Sequence, residues 1–195
     1  MPRPLRKLPL LGLILLAALT LGACGDSHTK VTTGTYAGES GQNAPYLDVG
    51  PLVYEVQLSR ELNPYDVEDA AYLEGLSPEQ RKLEPGQEWF AVFLQVYNNH
   101  DASHPASTEM KIYDTQGNTY YPIVPRGHNF FTYGGGTVPG NGRLPVLDSV
   151  ASNGTTQGTM LLFKIQTVSL DNRPLKISIA DPRDATERAS AELDV

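Results

Sequence analysis

The stretch Gln87-Glu-Trp-Phe-Ala-Val-Phe-Leu-Gln-Val-Tyr-Asn-Asn99 carries the strongest strand pattern in the sequence. Alternate positions are apolar and fall on one face of an extended chain: Phe90, Val92, Leu94 and Val96. The opposite face mixes aromatic and polar residues, which is typical of a sheet surface that is only partly covered. Gly86 precedes the run and Asn98-Asn99 ends it, as at the ends of a strand. We therefore predict that this stretch is the central strand of a β-sandwich.

Shorter segments with the same alternation flank this strand. Residues 52–59 predict a first strand, with Leu52, Tyr54, Val56 and Leu58 on one face. A turn at 114–118 predicts a hairpin, and 159–166 and 174–180 predict two later strands. About seven short strands separated by turn signals indicate an all-β, immunoglobulin-like β-sandwich.

One insertion interrupts the strand pattern between the first two predicted strands. Asn63-Pro64 is typical of a helix start, and a short helix is predicted over 65–74. Residues 77–80 follow the capping-box pattern and predict a further helical turn. Val67 and Ala71, one turn apart, are expected to pack the helix onto the sandwich.

Residues 125–145 contain six glycines and three prolines, which predicts a long Gly-rich loop without regular structure. The loop also carries four residues suited to recognition: His128, Phe130, Phe131 and Tyr133. Loops on a rigid scaffold often bind partners, so these residues are the candidate partner-binding loop. The alternative is that the aromatic side chains close an open end of the sandwich.

The N-terminal residues 1–23 have the pattern of a secretory signal. Basic residues come first, an apolar run follows from Leu8 to Leu21, and small residues lead to Cys24. The apolar run is shorter than the roughly 20 residues that span a bilayer. Leu21-Gly22-Ala23-Cys24 resembles the lipobox of bacterial lipoproteins, which implies that Cys24 carries diacylglyceryl and fatty acyl groups such as palmitate. The alternative is a cleaved signal that leaves Cys24 as a free thiol in a secreted protein.

Two polar segments are expected to flank the folded domain. Residues 24–45 are rich in small polar residues and predict a flexible tether. Residues 182–195 are charged and predict a frayed tail, which leaves 46–181 for the domain. Cys24 is the only cysteine, so we expect the domain to be stabilised by its core without a disulfide.

Composition and motifs argue against several classes of function. Without Arg3, Arg6 and Lys7 of the predicted signal, 12 basic residues face 22 acidic ones, a formal charge of −10, so nucleic acid is not an expected partner. The Gly-x-Ser-x-Gly pattern of a nucleophile elbow and the lysine-containing P-loop pattern do not occur in the sequence. We expect a protein that is not an enzyme and has no cofactor.

A metal site is a weak alternative at one turn of the chain. His100, Asp101 and His104 bring two imidazoles and a carboxylate within five residues, with His128 as a further possible ligand. Because Pro105 follows at once, the segment cannot place the histidines on one helix face, and a solvated turn is the simpler interpretation.

Three segments resemble a known family: Trp89–Asn99, Ile112–Tyr121 and Gly158–Ile165. They are similar to strands of the telokin-like, domain-of-unknown-function family of bacterial surface lipoproteins, related to immunoprotective extracellular antigens. The resemblance covers about 46–181 and implies an immunoglobulin-like domain on the outer face of the cell membrane. We therefore expect a lipid-anchored, extracytoplasmic module that binds an envelope protein or other envelope component. The alternative is an extracytoplasmic metal- or small-ligand-binding protein.

Overall fold

The computed structural model describes residues 29–32 and 46–193. In this part of the chain the strands are β1 (Thr29–Thr32), β2 (Tyr46–Val49), β3 (Leu52–Leu62), β4 (Gln87–Asn98), β5 (His104–Ala106), β6 (Met110–Tyr113), β7 (Thr119–Tyr120), β8 (Gly136–Val138), β9 (Arg143–Leu144), β10 (Thr159–Gln166), β11 (Leu175–Ala180) and β12 (Arg188–Leu193). The helices are short: α1 (Val67–Tyr72), α2 (Pro78–Arg81), α3 (Val150–Asn153) and a 3-10 turn at Thr167–Leu170.

Most of the strands form two packed sheets, and β5 and β8 pair as a separate two-stranded sheet. The first sheet has the order β10-β4-β3-β2, and β9 pairs with the end of β4. The second sheet has the order β1-β12-β11-β6-β7. After β4 the chain crosses to the second sheet at β6, returns to the first sheet at β9 and β10, and crosses again at β11, as in a Greek-key sandwich. The predicted all-β sandwich is confirmed, and the stretch that carries the strongest pattern is the central strand β4.

The main core lies between the two sheets. From β4 it receives the apolar alternation found in the sequence, and every member of that set is almost completely buried: Phe90, Val92, Leu94 and Val96. β10 and β11 contribute the alternating residues Leu161, Phe163, Ile165, Leu175, Ile177 and Ile179. The period-two pattern therefore identified the inward face correctly on three strands.

A β-bulge in β3 changes which residues face that core. The register shifts between Val56 and Leu58, so Leu58 pairs with Phe93 on the outer face of the first sheet. The sequence pattern had placed Leu58 with Tyr54 and Val56, and that prediction is wrong. A bulge adds one residue to one strand and so reverses the side chains that follow it.

A second apolar cluster lies on the outer face of the first sheet, under the helical insertion. It includes Trp89 and Phe93 of β4 and Tyr72 and Leu73 of α1. The Tyr72 ring meets the Phe93 ring edge to face at 5.0 Å between centroids. The insertion therefore covers part of this face and adds apolar burial to the domain. Residues 46–193 contain no cysteine, so no disulfide contributes to its stability.

The insertion joins the two strands between which it was predicted, β3 and β4, but its helix start and its packing differ from the prediction. The two strands that precede β3, β1 and β2, were not predicted. α1 begins after Asp66, whose carboxylate accepts hydrogen bonds from the backbone N–H groups of Glu68 and Asp69, and not after Asn63. Val67 is 89% exposed, and Tyr72 and Leu73 make the packing contacts instead. The capping box at Ser77 and Gln80 is confirmed at the start of α2.

Both ends of the predicted domain extend further than expected. In the predicted tail 182–195, β12 pairs with β11 and buries Ala189, Ala191 and Leu193. In the predicted tether 24–45, β1 pairs in parallel with β12. β12 was not predicted because its apolar positions are mainly alanine, which has a low strand propensity, and charged residues lie between them. The rest of the predicted tether, the predicted lipid site Cys24 and the predicted signal 1–23 lie outside the described residues.

Candidate binding site

The Gly-rich loop is ordered against the sandwich, and its four candidate residues do not form one surface. Regular pairing occurs in it at β8 and β9, contrary to the prediction of a loop without regular structure. Tyr133 is in the main core, where its hydroxyl donates to the Ser107 carbonyl at 2.6 Å. Phe131 packs edge to face on Tyr72 at 4.7 Å between ring centroids. Both rings therefore serve packing, Tyr133 in the main core and Phe131 in the cluster on the outer face of the first sheet.

His128 and Phe130 remain on the surface and contact each other. Phe130 is 64% exposed, and its ring lies edge to face with the His128 ring at 4.3 Å between centroids. Between them, Asn129 donates through Nδ2 to the carbonyls of Ala71, Tyr72 and Glu74 at 3.0–3.3 Å. The loop thus caps the C-terminal end of α1, and loop and insertion form one unit.

The histidine turn does not assemble into a three-ligand group. The His100 and His104 rings lie edge to face at 5.7 Å between centroids, and Asp101 accepts a hydrogen bond from Asn141 Nδ2 at 2.9 Å. Among the described residues, no group of three or more His, Cys, Asp or Glu side chains is arranged to hold a metal ion.

The half of the outer sheet face that the insertion leaves uncovered contains a polar pocket of about 340 Å³. Its residues come from the cross-strand pairing of β2, β3, β4 and β9 and from the segment before β10. We define the polar pocket by its lining: Tyr46, Glu55, Gln57, Gln95, Tyr97, Arg143 and Gln157. On this face of β4, Tyr97 is half-buried, whereas Trp89, Ala91, Phe93 and Gln95 are 0–6% exposed, so the face is more fully covered than the sequence predicted.

Strand register explains why these side chains meet. Tyr46 pairs with Glu55, and Glu55 pairs with Gln95, so the three form one row across three strands. In the neighbouring row, Tyr97 pairs with Arg143 of β9. Directly paired residues point to the same side of a sheet, so two adjacent rows form the floor and wall of the pocket.

A buried carboxylate and a phenol hydroxyl are hydrogen-bonded at the centre of the pocket. Glu55 is only 4% exposed, and the Tyr97 hydroxyl lies 2.9 Å from Glu55 Oε2 and 2.6 Å from Gln95 Oε1. Burial, the hydrogen bond to Glu55 and the charge of Glu55 raise the pKa of Tyr97 to about 12. The charge of Glu55, burial and a hydrogen bond to Glu55 also raise the pKa of Tyr46. Both phenols therefore stay neutral near pH 7 and act as hydrogen-bond donors.

Arg143 forms the opposite wall. Its Nη2 donates to Ser152 Oγ of α3 at 3.1 Å, which fixes the guanidinium beside Tyr97. Its buried Nε has no hydrogen-bond partner within the described part of the chain. Because this nitrogen is buried, it is not open to a ligand, and Arg143 lines the pocket through its other atoms.

An apolar groove of about 410 Å³ adjoins the polar pocket and shares Tyr97 and Arg143 with it. Pro139, Val146 and Leu147 supply its apolar wall, and Val146 and Leu147 are 55% and 67% exposed. Buried Asn98 supports the groove by donating through Nδ2 to the carbonyls of Ala102, Val138 and Pro139. Together the two concavities make a continuous surface with one polar and one apolar half.

Only part of this surface could be predicted from the sequence. Gln95 and Tyr97 were assigned to a partly covered face, but Glu55 and Arg143 were not singled out. Neither residue lies in a recognisable motif, and they approach each other only through the pairing of β3, β4 and β9. Register of this kind cannot be read from one strand at a time.

No helix among the described residues is long and apolar enough to cross a membrane.

No family model and no curated protein matches the chain. Among solved structures, it is similar to a candidate lipoprotein, ycdA, from Bacillus subtilis, at 9% identity and a TM-score of 0.45 over 78% of this chain; it spans only 39% of ycdA. It is also similar to the yjhA protein from Bacillus subtilis, at 11% identity and a TM-score of 0.49, covering 77% of this chain and 97% of that one. An uncharacterised β-sandwich protein from Clostridium difficile gives 11% identity and a TM-score of 0.43, covering 85% and 97%. These sequence identities and TM-scores are too low to infer the function of this chain from those proteins.

Proposed function

We propose that the protein is a lipid-anchored, extracytoplasmic lipoprotein whose β-sandwich is a non-catalytic binding module of the cell envelope. The anchor rests on Cys24, the only cysteine, which directly follows an apolar run and the residues Leu21-Gly22-Ala23. The resemblance of three strand segments to the telokin-like family of surface lipoproteins supports the same location.

The observation that carries the binding role is the polar pocket with its adjoining apolar groove. Glu55, Gln57 and Gln95 are 4–6% exposed on a sheet face that the insertion does not cover. Polar side chains there do not contribute to the apolar core, whereas a concave polar surface with an apolar margin is typical of binding sites. The groove extends the contact area toward a ligand larger than the pocket itself.

The alternative of an extracytoplasmic small-ligand-binding protein uses the same pocket and differs in the size of the ligand. A ligand confined to the pocket would contact Glu55, Tyr97 and Arg143. An envelope macromolecule would contact the groove residues Val146 and Leu147 as well. Leu147→Asp therefore distinguishes the two kinds of ligand, because it should weaken the binding of a macromolecule and leave the binding of a small ligand unchanged.

The test is cross-linking on intact cells, followed by capture and mass spectrometry, with the wild-type chain and Cys24→Ala compared at equal expression. We expect the wild-type chain to fractionate with membranes and to capture an envelope component that Cys24→Ala loses. A wild-type chain that fractionates as a soluble protein would contradict the anchor. Capture of the same components by both forms would contradict a binding role that depends on the membrane.

A further inference from the structure

The polar pocket has hydrogen-bonding capacity that the protein does not fill. The Tyr97 hydroxyl has one hydrogen but lies within 2.9 Å of Glu55 Oε2 and 2.6 Å of Gln95 Oε1. One hydrogen cannot serve two acceptors fully. The Glu55 carboxylate can accept several hydrogen bonds, so it has room for one from a ligand N–H or O–H.

Arg143 supplies the complementary requirement. Its Nη2 is held by Ser152 Oγ at 3.1 Å, and the guanidinium has further N–H groups that a ligand can use. The same pocket therefore offers an acceptor site at Glu55 and a donor site at Arg143, in neighbouring rows of the sheet. A ligand that matches both must donate at one end and accept at the other.

The charge of the pocket favours a neutral ligand. Among the described residues that line it, Glu55 and Arg143 are the acidic and the basic side chain of opposite charge, and they balance, although the chain as a whole has a formal charge of −7. Hydroxyl groups fit this balance because each can donate and accept. Tyr46 is 53% exposed at the rim and presents an aromatic face suited to the apolar C–H surface of a ring.

We propose that the polar pocket binds a saccharide unit, a neutral ring with several hydroxyl groups, through Glu55, Tyr97 and Arg143 with Tyr46 against the ring face. This ligand class deepens the proposed binding module and rests on it for the source of the ligand, a glycan of the cell envelope. The pocket volume of about 340 Å³ lies within the range of about 300–1,000 Å³ that is usual for ligand sites.

The test uses the full chain in a detergent without a sugar headgroup. Glucose, galactose and N-acetylglucosamine, and their short oligosaccharides, are titrated by calorimetry and by ligand-observed NMR. We expect saturable binding of at least one of them. Glu55→Gln keeps the shape of the side chain but removes the charge-assisted acceptor, and we expect about a tenfold loss of affinity.

Two further variants make the test specific. Arg143→Lys keeps the positive charge but removes the planar guanidinium and its several N–H donors, and we expect a similar loss. Glu61→Gln is the matched control, because it is the same substitution on an exposed residue of the same strand, β3, and it should bind like the wild type. Thermal unfolding of each variant establishes that the sandwich is intact at the titration temperature.

Three results would overturn the proposal: no saturable saccharide binding, equal binding by Glu55→Gln and wild type, or saturation by methylammonium or inorganic phosphate in place of any saccharide. The titration is repeated with Cys24→Ala, which should bind saccharide like the wild type. The absence of saccharide binding would therefore not argue against the membrane anchor. Loss of the anchor would likewise not argue against the saccharide site.

Discussion

Asp114 illustrates how a single carboxylate orders a turn and joins it to a distant segment. Its Oδ1 accepts from the backbone N–H groups of Gln116 and Asn118, both at 2.9 Å. Its Oδ2 accepts from the side chains of Asn118, Ser169 and Asn172 at 2.7–3.1 Å. Burial by itself raises the pKa of Asp114, but these hydrogen bonds more than offset it and hold the pKa well below its usual range. The ionised form is therefore the one that stabilises the fold.

The stability of the protein should depend on Asp114 in a pH-dependent way. The free energy of unfolding at pH 7 is expected to fall by about 2–3 kcal/mol in Asp114→Asn. The unfolded carboxyl titrates near a pKa of about 3.9, so the wild-type advantage should shrink by about 1.4 kcal/mol for each pH unit below about 4. Urea unfolding at pH 7, 5 and 3 measures this difference. A difference that stays constant down to pH 3 would show that Asp114 does not act through its charge.

Asp69 connects α1 to β3 through an ion pair. Its carboxylate accepts from both terminal nitrogens of Arg60, at 2.5 and 3.1 Å, and from the backbone N–H of Asn63 at 2.8 Å. Asp69 is 4% exposed, whereas the Arg60 side chain is 32% exposed, so water partly screens the pair. We expect Asp69→Ala to lower the free energy of unfolding by about 2 kcal/mol.

Chemical denaturation measures the effect of Asp69→Ala, with Glu84→Ala as the control. Glu84 forms an ion pair with Lys82 at 3.2 Å, but both side chains are at least 60% exposed. Such a surface pair contributes about 0–1 kcal/mol. Equal losses in the two variants would contradict the structural role of the buried carboxylate.

At the scale of elements, the helical insertion and the loop that caps it act together. Gly127 N donates to the Gly75 carbonyl at 2.8 Å, and Gln80 Nε2 donates to the Val124 carbonyl at 2.8 Å. The loop also follows β10, with Ile123 N donating to the Leu162 carbonyl at 2.7 Å. It thereby covers the free edge of β10 and protects it from pairing with another chain.

Asn129 is the residue that should couple the loop to α1. Asn129→Asp keeps the shape of the side chain but removes the donor that serves three carbonyls of the helix end. We expect a loss of about 1–3 kcal/mol and faster amide exchange in 67–74. Asn153→Asp is the matched control, since Asn153 Nδ2 is exposed and bonds only the Ser149 carbonyl at 3.3 Å. If amide exchange in 67–74 is unchanged in Asn129→Asp, Asn129 does not couple the loop to α1.

The sequence predicted these elements well where one local rule decides them and poorly where tertiary contacts do. The alternation of β4 and the capping box of α2 are local and were read correctly. Val67 was expected to pack, but the helix begins at that residue and places it toward solvent. Tyr133 was a candidate for recognition, yet its hydroxyl finds a buried partner in Ser107, far away in the sequence. The sequence alone does not show which distant residues will be in contact.

At the scale of the whole molecule, the second sheet depends on the end of the chain. β12 lies between β1 and β11, and its side chains Ala189, Ala191 and Leu193 enter the main core. The candidate site has the same character, because Tyr46, Glu55, Gln95 and Arg143 lie on four different strands. Both features depend on strand order and register, and this explains why the sequence indicated a sandwich but not its last strand or its pocket.

Substitution in β12 should therefore unfold the domain. Ala191 is 1% exposed, and Ala191→Asp would place an unpaired carboxylate in the core at a cost of about 4 kcal/mol or more. Circular dichroism and thermal unfolding should show loss of the cooperative transition. Glu192→Asp, at the neighbouring position on the outer face, should retain it. A folded Ala191→Asp protein would contradict the position of β12 in the sandwich.

We propose that a lipid on Cys24 holds the sandwich at a membrane, and the mass of the mature N-terminal peptide tests this directly. The protein is purified from membranes of its own bacterial host, digested, and examined by mass spectrometry. We predict that the chain begins at Cys24 and that this residue carries a diacylglyceryl group and fatty acyl chains. A mature chain with an unmodified Cys24 thiol, or one that retains residues 1–23, would contradict the account.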